Sequence, residues 1–160
     1  MSRWTRGAVA CAAAALALTG CSGDPVEVSG PAPAGAAAEA CQALVDAVPD
    51  TPGDQERREV EGDGIGAAWG DPPVVLSCGV GVPEGFDEFS TCLEVDGVGW
   101  FVPPEQEADL SVDVLLTAVG FEPRVSLLVP VELRGGPSAA LLTELAAPMK
   151  ETLELVDACA

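Results

Sequence analysis

The first 21 residues constrain the fold of the remaining chain most, because they predict the compartment in which it folds. Arg3 and Arg6 lie in a short segment without acidic residues, and an uninterrupted apolar run follows over 8–18. A basic segment followed by a short apolar run and small residues is typical of a secretory signal peptide. The run has about half of the roughly 20 residues that a membrane-spanning helix needs, so it does not predict a stable span.

The predicted signal peptide ends in Leu18-Thr19-Gly20-Cys21, which resembles the lipobox of bacterial lipoproteins. The resemblance implies that residues 1–20 are removed and that the thiol of Cys21 carries a diacylglycerol group. Attachment by two or three acyl chains, palmitate among them, is effectively stable. We therefore expect a lipid anchor in the cytoplasmic membrane and a chain that faces outside the cytoplasm. The alternative is a plain secreted protein in which Cys21 is incidental.

Loss of the signal peptide makes the remaining chain strongly acidic. The full sequence has 26 acidic and 7 basic residues and no histidine. Because Arg3 and Arg6 leave with the signal, 5 basic residues remain against the 26 acids, a net charge of −21. A field of this sign repels nucleic acids and anionic lipid headgroups. We expect no nucleic-acid partner and, as the acting partner, an unknown envelope protein or cell-wall component.

Four cysteines follow the predicted lipidation site, at Cys41, Cys78, Cys92 and Cys159. Four cysteines in an exported domain predict two disulfides, for which three connectivities exist. No Cys-x-x-Cys pair is present, and the closest two, Cys78 and Cys92, are 14 residues apart. This spacing indicates neither a redox centre nor a zinc site, so we predict no metal and no cofactor.

The order of predicted elements indicates an α+β domain. Residues 21–39 are rich in Pro, Gly and Ala and predict a flexible linker, and 40–160 predict a single domain. We expect a small, mostly antiparallel sheet with an N-terminal and a C-terminal helix packed on it. The predicted helices cover 36–48 and 139–156, the latter with Ser138 as N-cap. Four or five strands are predicted between them, over 74–78, 91–95, 98–102, 112–119 and 124–133.

One turn, three loops and one proline complete this prediction. Asp96-Gly97 between two apolar runs is the strongest short hairpin signal, because a type I′ turn needs positive φ at both central residues. Polar residues over 50–66, 79–90 and 105–109 predict loops. Pro130 within the last predicted strand indicates an edge position or a bulge, because proline cannot donate to a sheet.

Four blocks of sequence form a recognisable set: Cys41-Gln42-Ala43-Leu44-Val45, Glu56-Arg57-Arg58, Trp69-Gly70-Asp71-Pro72 with Cys78-Gly79, and Val95-Asp96-Gly97-Val98-Gly99-Trp100. Together they resemble a known family of actinobacterial lipoproteins, filed as domain of unknown function 3515. The family has no assigned activity. Cys41 and Cys78 fall on its usual cysteines, which implies a Cys41–Cys78 disulfide and leaves Cys92 to pair with Cys159. Cys41–Cys159 with Cys78–Cys92 stays open as the alternative.

The residues that suggest a specific chemistry each have a simpler interpretation. Glu59, Glu61 and Asp63 imitate part of a calcium-binding loop, but position 12 of that loop is Gly70 rather than a bidentate glutamate. The acidic group of Glu105, Glu107, Asp109 and Asp113 is expected in a chain with so many acids. Both groups are interpreted as solvated loops.

The aromatic and basic residues also have a simpler interpretation than a binding site. Trp69 and Trp100 suggest platforms for sugar rings, but we expect them to anchor the core. We expect Arg57-Arg58 to pair with Glu56, Glu59 or Glu61. Without histidine a Ser-His-Asp or Cys-His arrangement cannot form, and we predict no catalytic residue and no enzymatic activity.

The sequence therefore predicts a membrane-anchored lipoprotein that acts as a non-enzymatic binding or interaction module of the cell envelope. A lipoprotein that binds a small ligand or a glycan is the alternative, and an envelope hydrolase is less well supported.

Overall fold

The computed structural model describes residues 23–30, 32–157 and 159. Within them, helices cover Ala36–Ala47 (α1), Pro104–Ala108 (α2) and Gly136–Thr152 (α3). The strands are Val26–Glu27 (β1), Arg57–Arg58 (β2), Val60–Glu61 (β3), Ile65–Trp69 (β4), Val74–Cys78 (β5), Leu93–Val95 (β6), Val98–Trp100 (β7), Val114–Ala118 (β8), Phe121–Glu122 (β9), Val125–Val129 (β10) and Glu154–Leu155 (β11). Single turns of 3₁₀ helix cover Pro52–Asp54 and Val131–Leu133.

A five-stranded sheet in the order β2-β4-β5-β10-β8 forms the centre, and all of its neighbouring strands are antiparallel. Side chains alternate along β5 between buried and partly exposed, as expected for a strand with one face on the core. Ala67, Leu76, Leu127 and Leu116 lie side by side across four strands and are all buried. This row places one face of the sheet in the core.

The two long helices share one hydrophobic core with that face. Leu44 of α1 and Leu141, Leu145 and Met149 of α3 are at most 1% exposed and belong to the same buried cluster as the strands. The spacing of four residues between Leu141, Leu145 and Met149 puts them on one side of α3. The predicted α+β class, with two helices on a mostly antiparallel sheet, is confirmed.

The Asp96-Gly97 hairpin forms as predicted from β6 and β7. Asp96 has φ 48° and Gly97 φ 80°, so both central residues of the turn adopt the positive values that a type I′ turn requires. Val98 and Trp100 are buried, and the chain continues to Phe101, which bridges to Thr117 on β8. The hairpin therefore covers the edge of the central sheet.

The acidic loop predicted over 105–109 is wrong, because the chain forms α2 there. Pro104 opens the helix, where its missing N–H is not needed, and Glu105 and Glu107 lie in the first turn, where the helix dipole favours acids. The side chain of Gln106 then accepts a hydrogen bond from the N–H of Leu115 at 2.7 Å. Together with the Phe101 bridge, this contact occupies outward N–H groups of edge strand β8.

The edge position predicted from Pro130 is also wrong. Strand β10 lies between β5 and β8 and ends at Val129, so Pro130 stands after the strand and begins the 3₁₀ turn Val131–Leu133. The predicted strand 124–133 was too long because its apolar pattern continues through this turn.

The C-terminal helix begins earlier and ends earlier than predicted. Its N-cap is Gly135, and Ser138 lies in the first turn, where its hydroxyl accepts a hydrogen bond from the Gly135 N–H at 3.1 Å. The helix ends at Thr152, and the last predicted residues instead form β11, which pairs with β9. The apolar residues Leu153 and Leu155 continue the helical pattern in the sequence although the backbone has become extended.

Two segments predicted as irregular also carry strands. The loop 50–66 contains β2 and β3, and the linker 21–39 contains β1, which pairs in parallel with β3. Both predictions are wrong at these positions because two-residue strands leave no recognisable alternation in the sequence. Helix α1 begins at Ala36, as predicted for the helix 36–48, so the predicted linker is helical over its last residues, 36–39.

Candidate functional site

The two disulfides hold different parts of the chain. Cys41–Cys78 joins α1 to the end of β5 with its Cα atoms 5.5 Å apart, and both residues are buried. Cys92–Cys159 joins the beginning of the hairpin to the C-terminal segment with its Cα atoms 5.8 Å apart, and both are partly exposed. The connectivity implied by the resemblance is confirmed, and the alternative connectivity is wrong.

The predicted signal peptide and the predicted lipidation site Cys21 lie outside the described residues. In the described part of the chain, no helix has the length and apolar character that are needed to cross a bilayer.

Trp69 and Trp100 are both core residues. Trp69 and Trp100 are 0% exposed, so neither presents a ring to a sugar, and a glycan platform on these two residues is wrong for this structure. Trp69 Nε1 donates a hydrogen bond to the carbonyl of Pro49 at 3.0 Å. Trp100 Nε1 is buried and has no hydrogen-bond partner among the described residues.

The two neighbouring arginines bind backbone carbonyls rather than the adjacent glutamates. Arg57 Nη2 donates to the Val45 carbonyl at 3.0 Å, and its guanidinium lies 5.8 Å from the centre of the Trp69 ring. Arg58 donates to the carbonyls of Gly70 at 2.8 Å and Asp24 at 2.9 Å. The predicted ion pairs are wrong because a backbone carbonyl at a partly buried position is a fixed acceptor, whereas exposed glutamates stay in water.

Arg134 and Lys150 also donate hydrogen bonds to backbone carbonyls. Arg134 donates to three carbonyls, those of Gln106, Asp109 and Val112, at 2.7–2.9 Å. Lys150 Nζ donates to the Asp96 carbonyl at 2.7 Å and so ties α3 to the hairpin turn. Cations thus hold loops against the body of the domain.

Arg124 and Glu122 form an ion pair at 2.8 Å, and it is the one salt bridge within the described residues. Acidic side chains over this part of the chain are therefore largely free of cationic partners. The negative charge predicted from the sequence is exposed to solvent and to any partner of opposite charge.

Neither acidic group forms a cation site. Across residues 23–30, 32–157 and 159, no three His, Cys, Asp or Glu side chains are arranged to hold a metal ion. Asp109 instead accepts hydrogen bonds from the hydroxyl and the N–H of Ser111, which, together with the nearby Arg134 charge, lower the pKa of its carboxyl. Asp113 accepts a hydrogen bond from the N–H of Val131 at 2.9 Å. These acids close loops, which their sequence spacing did not indicate.

A surface cavity of about 510 Å³ lies beside the exposed disulfide and was not predicted from the sequence. The loop 79–92 forms one wall, the residues after β8 another, and the C-terminal segment after β11 a third. Cys159 lines the cavity, so the Cys92–Cys159 bond ties two of these walls together. No sequence signal could have found it, because it depends on how three distant segments meet.

The lining of the cavity combines apolar and charged groups. Its apolar residues are Phe86, Val119 and Val156, and its acidic residues are Asp87, Glu88 and Asp157. Arg124 is its cation and already pairs with Glu122. Asp87 accepts hydrogen bonds from the Phe89 N–H and the Ser90 hydroxyl, which shapes the loop. The cavity is therefore mixed in polarity and net acidic.

No curated protein and no solved structure matches this chain. A family model described as a protein of unknown function (DUF3515) matches residues 7–158. This range covers the domain and the lining of the cavity except for Cys159, which lies one residue beyond it. The chain therefore belongs to the DUF3515 family of proteins of unknown function.

Proposed function

We propose that this protein is a lipoprotein anchored through Cys21 on the outer side of the cytoplasmic membrane. The observation that carries the proposal is the sequence Leu18-Thr19-Gly20-Cys21 directly after a basic segment and a short apolar run. Two structural disulfides support it, because such bonds form and persist in oxidising compartments outside the cytoplasm.

In this proposal the domain acts as a non-enzymatic binding or interaction module toward an envelope protein or a wall component. Exposed acidic side chains support a binding role. They are available to a partner because arginines of the domain bind backbone carbonyls of loops instead of these acids. The absence of histidine from the sequence removes the commonest general base, so a hydrolase is the least supported class.

A small-ligand role is the second candidate, and the cavity of about 510 Å³ favours it. That volume lies in the range of small-molecule sites, and its lining offers apolar contact together with Arg124 and acidic groups. The glycan version of this candidate loses its support from Trp69 and Trp100, because both are buried.

Anchoring is tested by fractionating cells that express the wild type, Cys21→Ala or Cys11→Ala with an alkyne-labelled fatty acid in the medium. Cys11→Ala is the matched control, since it removes a cysteine that leaves with the signal peptide. Wild type and Cys11→Ala are expected in the membrane fraction with label, and Cys21→Ala without label and released. Labelled, membrane-bound Cys21→Ala protein would contradict the proposal.

The binding role is tested by crosslinking in intact envelopes followed by mass spectrometry. Crosslinks from the acidic surface to a reproducible protein or wall fragment are expected, and purified domain should compete for them. If no partner is recovered and a panel of small ligands leaves the thermal stability unchanged, both binding candidates are wrong.

A further inference from the structure

The N-terminal arm, residues 23–30, is a docked part of the domain. Strand β1 pairs in parallel with β3, and backbone bonds extend the pairing on both sides: Val26 N–H to the Glu59 carbonyl and Val28 N–H to the Glu61 carbonyl, both at 2.8 Å. The Val28 side chain is 1% exposed. The arm therefore runs along the domain instead of leaving it.

Side chains and glycines hold the arm in place. Arg58 donates to the Asp24 carbonyl with one nitrogen and to the Gly70 carbonyl with the other. Val28 approaches Gly64 so closely that a Cβ there would lie 2.7 Å from the Val28 carbonyl oxygen. The beginning of the arm is thus fixed beside the turn that joins β4 to β5.

The cavity lies at the opposite end of the strands. Strand β5 begins at Val74, next to that turn, and ends at Cys78. Gly79, which follows, donates its N–H to the carbonyl of the cavity residue Arg124 at 2.7 Å. Five residues of strand place these two ends about 13 Å apart. We name them the tether pole (Asp24, Arg58 and the turn 70–73) and the cavity pole (the lining residues of the cavity).

The docked arm leaves a very short connection to Cys21. Only three Cα steps separate Cys21 from Asp24, which span at most about 11 Å. A free coil over 21–39, as the sequence predicts, would average roughly 20–25 Å. A lipid on Cys21 would therefore hold the tether pole close to the bilayer.

We propose that the docked arm orients the anchored domain, with the tether pole on the membrane and the cavity pole directed away from it toward soluble or wall-bound partners. The inference rests on the proposed lipidation of Cys21. Charge supports it, because the cavity pole carries three acids and Arg124, a net charge of −2, whereas the tether pole carries Asp24, Asp71 and Arg58, a net charge of −1. Anionic lipid headgroups therefore repel the cavity pole more strongly. The surface open to a partner is then the cavity pole.

The orientation is measured on mature, lipidated protein in phosphatidylcholine vesicles that contain a headgroup spin label. A fluorophore is placed through Asp71→Cys at the tether pole or Glu88→Cys at the cavity pole; both residues are exposed. We expect quenching of the Asp71 label to exceed that of the Glu88 label at least about threefold. Equal quenching, or stronger quenching of the Glu88 label, would overturn the orientation.

A second comparison tests the arm itself in the Asp71-labelled protein. Arg58→Ala removes the bonds to Asp24 and Gly70, whereas Arg134→Ala removes comparable arginine–carbonyl bonds away from the arm. Arg58→Ala should reduce the quenching at least twofold and Arg134→Ala should leave it unchanged. Unchanged quenching in Arg58→Ala would show that the arm does not set the orientation.

Flotation of the vesicles separates the two proposals. Protein that does not float contradicts anchoring through Cys21, and the orientation falls with it. Protein that floats with equally quenched labels retains the anchor and overturns the orientation alone.

Discussion

The two disulfides close two separate stretches of chain, and the stretches differ in how they are held. In the first, 41–78, the bridge is buried in the core. In the second, 92–159, the bridge is partly exposed and borders the cavity. Both stretches contribute strands to the same sheet. The comparison shows that one bridge is part of the packing of the core, whereas the other secures the C-terminal segment that completes a surface feature.

Removal of each bridge should have the largest effect and tests this difference directly. Chain entropy alone assigns about 3.8 kcal/mol to a loop of 37 residues and about 4.4 kcal/mol to one of 67. The double variant Cys41→Ala/Cys78→Ala should nevertheless lose more stability than Cys92→Ala/Cys159→Ala, because it also removes buried sulfur from a packed core.

Urea unfolding of the two double variants, with the wild type as reference, measures this order. We expect Cys41→Ala/Cys78→Ala to lose about 5–6 kcal/mol and Cys92→Ala/Cys159→Ala about 4.4 kcal/mol. The reverse order would mean that chain entropy dominates and that burial of the first bridge adds nothing.

The parts of the fold that the sequence predicts correctly are those set by strong local signals. Asp96-Gly97 specifies a turn, and the run Val74–Cys78 was predicted as a strand and forms β5. The edge inferred from Pro130 failed because sheet order depends on long-range pairing, which places β10 between β5 and β8. The short strands β1 and β3 were missed because two residues are too few to show the alternation of apolar and polar residues that marks a strand.

The tryptophans give the second comparison of the two stretches. Trp69→Phe and Trp100→Phe both leave a cavity in the core. Only Trp69→Phe also breaks a hydrogen bond and leaves the Pro49 carbonyl without its donor. We expect losses of about 2–4 kcal/mol for Trp69→Phe and about 1 kcal/mol less for Trp100→Phe, measured by urea unfolding. Equal losses of stability in the two variants would show that water replaces Trp69 Nε1 as the donor to the Pro49 carbonyl.

Neither the position nor the lining of the candidate site could be predicted from the sequence; only the acidity of the chain could. Acid excess and the lack of histidine follow from composition, and the predictions about partners and chemistry rest on these two features. That Arg58 would hold the N-terminal arm could not be foreseen, since its acceptors are backbone carbonyls 12 and 34 residues away. The cavity likewise arises from three segments that only the fold brings together.

The smallest expected effect concerns a loop of the second stretch. Hydrogen bonds from Ser111 lower the pKa of the Asp109 carboxyl, so its contribution to stability is present above the unfolded-state pKa and is lost as pH falls through the lower folded-state pKa. Ser111→Ala should raise the Asp109 pKa toward its usual value, which an NMR titration of the carboxyl resonance measures. An unchanged pKa would assign the shift to the remaining N–H of residue 111 and to Arg134, and Arg134→Ala is the matched control.

The most direct test of the account is the mass of the mature N-terminal peptide, obtained from membranes without reducing agent. The account predicts that the mature chain begins at Cys21, that this residue carries a diacylglycerol group, and that Cys41–Cys78 and Cys92–Cys159 remain linked in the same sample. A mature chain that begins elsewhere, or an unmodified Cys21, would contradict the anchor and the membrane-facing tether pole.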